Sequence, residues 1–177
     1  MSAQPRATKP TVRMTDDEAW HMLEQSRVGI LTTLRRDGRP VALPVWYAVL
    51  DRRIYVQTRG RKVERVAHDA RSSFLVEAGE RWAELQAVHA DCHASIIDPS
   101  PELRERFGAA MDAKYRAYRS TRGEMPSSSR DYYRQASGAM IELVPVGKLL
   151  TWDNRKLRGG ERRDRSAPGP TPPAASP

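Results

Sequence analysis

The run Thr58-Arg59-Gly60-Arg61-Lys62 places a glycine between cations, with Arg65 three residues further on. Glycine lets a backbone come close to a ligand, and a helix starting there leaves N–H groups unpaired. The flanking side chains add fixed positive charge. Together these groups suit an anion, and a phosphate is the natural candidate. A second run, Pro44-Val45-Trp46-Tyr47, is apolar or aromatic throughout. An apolar strand next to a cationic turn is a floor for a flat aromatic ligand. Other chemistries are poorly served. His89, Cys92 and His93 are the nearest thing to a metal cluster. On a strand the two histidines share a face about 13 Å apart, and the thiol points the other way. On a helix they adjoin, but no third ligand is evident, so no metal is expected.

The elements that hold these residues can be read outward from them. Val28–Leu34, Val41–Leu50 and Ile54–Thr58 are β-prone runs separated by charged turns at Arg36–Pro40 and Asp51–Arg53, which predicts a meander. The second run is apolar on both faces, so it is buried on both sides or lies against a ligand or a partner chain. Pro44 removes one ladder donor and marks an edge or bulge. Before the meander, Thr15-Asp-Asp-Glu18 spells a capping box for a helix to about Gln25, with Ala19, Met22 and Leu23 on one face. After it, Lys62–His68 reads as a short helix with Val63, Val66 and Ala67 inward. A fourth strand follows at Ser72–Glu77.

Trp82–Ile97 supports both helical and alternating patterns. Asp98-Pro-Ser-Pro101 stops it and opens a helix from Glu102 to about Arg119, striped by Leu103, Phe107, Ala110, Met111 and Tyr115. Thr121–Ser129 is a loop. Ala139–Val144 and Lys148–Trp152 are late strands. About six antiparallel strands with few helices predict a small β-barrel with helices packed outside it.

The chain has 177 residues and a net charge of +8. Residues 1–13 hold three cations and no acid, and 155–177 hold six cations against two acids, which leaves 14–154 near neutral. The basicity lies in the ends, so nucleic acid is not the expected partner. Both ends read as disordered: an arm over 1–13 and a Pro/Ala/Arg-rich tail over 158–177, flanking one domain at 14–157. No run approaches the about 20 apolar residues of a membrane span, and the first residues lack the apolar centre of a signal peptide. A single cysteine forms no internal disulfide. The expected location is cytoplasmic, away from membranes.

The order of these pieces resembles the split β-barrel flavin and deazaflavin oxidoreductases related to pyridoxamine 5′-phosphate oxidase. The resemblance is carried by Gly29-Ile-Leu-Thr-Thr33, Asp37-Gly-Arg-Pro40, Pro44-Val-Trp-Tyr-Ala-Val49, Ile54-Tyr-Val-Gln-Thr58, Arg61-Lys62 with Asp69-Ala-Arg71, and Ser73-Phe-Leu-Val-Glu77. Thr151-Trp-Asp-Asn-Arg-Lys-Leu157 looks like the C-terminal signature of an actinobacterial branch that uses coenzyme F420. The resemblance favours strand over helix for Trp82–Ile97. It departs at Gln86-Ala87, where the family pattern usually carries Arg-Gly in the central long strand.

The resemblance implies a mainly β, antiparallel fold with peripheral helices, the FMN-binding split barrel. It also implies a homodimer with cofactor sites at the subunit interface. The cofactor would touch Thr33, Pro44, Val45, Trp46, Tyr47, Thr58, Arg59, Gly60, Arg61 and Lys62, with Trp152 and Lys156 near the partner's pocket. Arg59, Arg61, Lys62 and Arg65 could also hold a polyglutamate tail, which favours F420 over FMN. The implied activity is hydride transfer between reduced deazaflavin and a small electrophilic or unsaturated substrate, with Tyr47, another pocket side chain or water as proton source. An FMN-dependent oxidase and a non-catalytic module holding a flavin, deazaflavin or haem are the alternatives. Because the cofactor carries the chemistry, no triad or carboxylate pair is required.

Overall fold

The computed structural model describes residues 11–120, 126 and 138–157. Most of the predicted arm, the tail 158–177 and all but Pro126 of the loop 121–129 lie outside the described residues. In chain order the elements are α1 (Asp16–Gln25), β1 (Gly29–Leu34), β2 (Pro40–Val45), β3 (Ala48–Leu50) and β4 (Arg53–Thr58). There follow α2 (Arg61–His68), β5 (Arg71–Ala78), β6 (Gln86–Ile97), α3 (Pro101–Tyr115), β7 (Ala139–Pro145) and β8 (Leu150–Asp153).

All eight strands form one sheet, ordered β2-β1-β5-β6-β7-β4-β3, with β8 paired to β6 beside β7. Every pairing is antiparallel. The two ends of that path, β2 and β3, are consecutive in the chain and separated only by Trp46 and Tyr47. A flat sheet would hold its first and seventh strands about 29 Å apart. Three peptide steps from Val45 to Ala48 reach at most about 11 Å. The sheet must therefore curl until its edges nearly meet, which makes a split barrel.

Alternation sorts the side chains. Leu31, Phe74, Val76, Val88, Ala90, Cys92, Ile141, Leu143, Ile54 and Val56 face inward as one core. Helix α1 closes it with Ala19, Trp20, Met22 and Leu23, and its capping box is formed as the sequence predicts. Helix α3, capped by Ser100, covers the other side, where Phe107 packs with Ala48, Tyr55 and Met140.

Four expectations need correction. The described residues hold eight strands, not about six. The run Val41–Leu50 is two strands belonging to opposite edges of the sheet. Its double-sided apolarity arises because the chain turns a corner there, so successive residues serve different surroundings. Ala67 is exposed rather than inward; Val66 alone of α2 is buried, because the helix touches the barrel along a narrow stripe. Finally, α3 ends at Tyr115 and passes into a 3-10 turn at Arg116–Tyr118.

Gly29 is fixed by packing. A Cβ there would lie 2.0 Å from Phe74 Cζ, in the middle of the core. The Gly29→Ala variant should lose about 1–3 kcal/mol of stability through this overpacking, read from the urea unfolding midpoint. An unchanged midpoint would mean that the barrel interior yields at Phe74.

Candidate functional site

The start of α2 is built as the sequence suggests. Gly60 takes φ +65° and ψ −142°, a backbone region that suits only glycine, and its carbonyl accepts the N–H groups of Val63 and Glu64. No side chain caps this helix, whereas Thr15 and Ser100 cap α1 and α3. The first-turn N–H groups of Arg61 and Lys62 therefore point out of the helix start with no capping oxygen. Lys62 is half-buried and Arg61 exposed.

Arg65 lies one turn on from Arg61, on the same helix face. Its Nε donates to Thr33 Oγ1 at 2.7 Å, and Thr33 is 1% exposed on the inner face of β1. The Nη2 of Arg65 is buried with no hydrogen-bond partner. A buried guanidinium N–H left without an acceptor is costly, so the position fits an anionic group. Thr33 thus anchors a cation rather than touching a ligand. Thr58, the last residue of β4, and Arg59 lead into the glycine.

The predicted ring wall divides at the corner. Pro44 faces outward, in a row with Ile30, Leu75, His89 and Leu150 that crosses five strands on one face. Val45 faces inward and belongs to the core, so it is not a ring contact. Trp46 is 40% exposed and stacks on Tyr115, with centroids 4.5 Å apart and planes 11° from parallel.

Tyr47 overturns its expected role as proton source and ring contact. It is 0% exposed, its ring meets Phe74 edge-on, and its hydroxyl donates to the Leu23 carbonyl. Burial, reinforced by Tyr115, holds the phenol far above its ordinary range. It is a core residue because it is the one that turns inward at the corner. The backbone there is held by Tyr115, whose hydroxyl accepts the Tyr47 N–H at 3.0 Å and lies 2.8 and 2.9 Å from the carbonyls of Arg27 and Tyr47.

Trp152 sits on β8 opposite Ala87, 49% exposed, its indole N–H given to Asn154 Oδ1 at 2.7 Å. Lys156 is paired with Glu18 on α1. His89 and His93 share the outer face of β6, and Cys92 points into the core, where burial pushes its thiol up to about 12.

A cleft of about 710 Å³ opens at the other end of β1, between α1, the Trp46 corner, the ends of β5 and β8, and the end of α3. No local pattern signals it, because its walls come from elements far apart in the chain. Gln86, the departure from the family pattern, lines it.

A family model described as Pyridoxamine 5′-phosphate oxidase matches residues 15–142. Among solved structures, the chain is similar to a conserved hypothetical protein from Mycobacterium tuberculosis, with 25% identity and a TM-score of 0.67 over 98% of this chain and 99% of that one. It is similar to an FAD-binding protein from Mesorhizobium loti, with 18% identity and a TM-score of 0.56 over 78% and 92%. It is similar also to the heme storage protein HutZ from Vibrio cholerae, with 15% identity and a TM-score of 0.58 over 77% and 94%. The last two likenesses show a shared fold. Among the described residues no helix is long and apolar enough to cross a membrane.

Lys114, under the same corner, is buried where its charge is costly. Its Nζ is buried without a hydrogen-bond partner and stands 3.8 Å from the Tyr47 ring centroid. Burial, opposed by Glu24, lowers its pKa from 10.5 to about 8. Below about 8 the ammonium is charged in both folded and unfolded chains, and the cost of burying it is fully present. Between about 8 and 10.5 the unfolded chain binds more protons at this site, so the Lys114 contribution to stability should rise with pH, against the opposite slope that the buried Cys92 thiol and the buried tyrosines add from about pH 9 upward. Urea unfolding of Lys114→Met should lack this rise, which identical slopes in the two proteins would disprove.

Proposed function

Because the chain belongs to the pyridoxamine 5′-phosphate oxidase family, we propose that it is an oxidoreductase using a flavin-type cofactor, with the deazaflavin F420 the best fit. Its partner in hydride transfer is a small electrophilic or unsaturated organic molecule. The observation that carries this reading is the uncapped Gly60 helix start with Arg59, Arg61 and Lys62 around it and the partnerless Nη2 of Arg65 behind it. Arg61, Lys62 and the first-turn N–H groups would hold the phosphate. Four cations within seven residues exceed what one phosphate needs, and this favours F420 with its chain of glutamates.

When bound, such a cofactor supplies the hydride chemistry. The chain's own groups bind and orient. Pro44 supplies an apolar surface for a flat ring, and the stacked Trp46–Tyr115 pair bounds it at the corner. With Tyr47 committed to the core, any proton comes from another pocket group or from water. FMN in the same groove, as in an FMN-dependent oxidase, is the second reading, favoured by the family's own description.

The outer row Pro44–Ile30–Leu75–His89–Leu150 argues for a homodimer. It is largely apolar yet incompletely covered: Leu150 within it is 70% exposed and Trp152 on its flank 49%. An open apolar sheet face of this breadth suits a second copy.

Fluorescence titration of the purified protein should show F420 binding much tighter than FMN. Lys62→Ala should weaken it by roughly tenfold or more, as expected for one lost charge-assisted contact. Equal binding of both cofactors, or none of F420, would sink the assignment. Turnover of reduced F420 with an acceptor panel separates an enzyme from a storage or sensing module.

A further inference from the structure

The cleft beside Trp46 has its own chemistry. It lies about 16 Å from the Thr33–Arg65 pair along β1, so a phosphate at Gly60 and an occupant of the cleft are separate ligands or separate ends. One wall is aromatic and rigid. Trp46 is stacked on Tyr115, and Tyr115 is fixed by its hydroxyl to the backbone of Tyr47 and Arg27. Tyr118, 53% exposed, contributes another ring.

Most charges lining the cleft are already matched. Asp153 takes the Arg155 guanidinium at 2.9 Å through two nitrogens and the Arg155 N–H at 3.0 Å. Glu18 is held by Lys156 and by the Thr15 N–H. Arg27 lies over the Tyr118 ring at 4.5 Å. Glu77 is different. It ends the outer face of β5, lines the cleft, and has no hydrogen bond or ion pair among the described residues. An unmatched carboxylate facing a fixed aromatic platform selects for positive charge on a flat ring.

We propose that this cleft binds a small planar aromatic cation, with Trp46 stacking its ring and Glu77 matching its charge. The volume of about 710 Å³ accommodates a ligand of two or three fused rings. That this ligand is the hydride acceptor rests on the cofactor reading above; that it binds does not.

The test is calorimetric titration of cofactor-free protein with three matched probes: the N-methylquinolinium cation, neutral isoquinoline and anionic quinoline carboxylate. The cation should bind about tenfold more tightly than the anion, the size of one favourable charge contact. Glu77→Gln, an exposed substitution that leaves the core intact, should erase that order while keeping isoquinoline binding. Trp46→Leu should weaken all three. Equal or tighter binding of the carboxylate, an order that survives Glu77→Gln, or no binding of any probe would overturn the proposal. F420 titration of the same preparation separates the two claims. Cofactor binding without cation binding defeats this one alone, and cation binding without F420 binding supports it while defeating the F420 assignment.

Discussion

Two residues join the two edges of a seven-strand path, and one hydroxyl holds them there. At Trp46–Tyr47 the backbone leaves one strand and has not yet joined the next, so its N–H and C=O lack ladder partners. The Tyr115 hydroxyl, arriving from the end of α3, meets both groups of Tyr47. Without that contact the corner would bury unsatisfied polar groups, at a cost of about 1–3 kcal/mol each. The same contact orients the Tyr115 ring as the platform for Trp46. Closure of the barrel and the shape of the cleft are therefore one arrangement.

This explains what was legible in the sequence. Local signals suffice for the capping box at Thr15, for a strand expected over Val28–Leu34 and formed over Gly29–Leu34, for the turn at Asp51 and for the stripe of α3. The Asp51–Arg52 turn shows how far local reading goes. Both residues have left-handed backbone, φ 52° and 56°, as a two-residue hairpin demands. They tolerate it with Asp51 tied to Arg106 on α3, and Arg52 to Asp16 and Asp17 on α1. Those tertiary ties left no mark in the local pattern. Nor did the break between Val45 and Ala48, because a corner and a doubly buried strand produce the same unbroken apolar run.

The candidate site divides along the same line. The helix start at Gly60 was readable because a glycine and the cations around it are adjacent in the chain. The ring wall was half readable: alternation within β2 assigns Pro44 and Val45 to opposite faces, but assumes that the strand continues, and so misplaces Tyr47. Thr33, where a ligand contact is expected from sequence, is buried and accepts from Arg65, a long-range pairing with no local signal. The cleft was beyond reach, because Glu77, Gln86, Tyr118 and Asp153 come together only through closure.

Cys92 carries a last consequence. Its sulfur lies on the inner face of β6, and a thiol held near 12 is almost wholly protonated at neutral pH. Since the thiolate is the reactive species, the native barrel is silent to alkylating reagents. Labelling can proceed only through molecules that have transiently opened along β6. The single thiol thus acts as a clock for how often the barrel breathes, and any ligand that steadies the closed form will slow it.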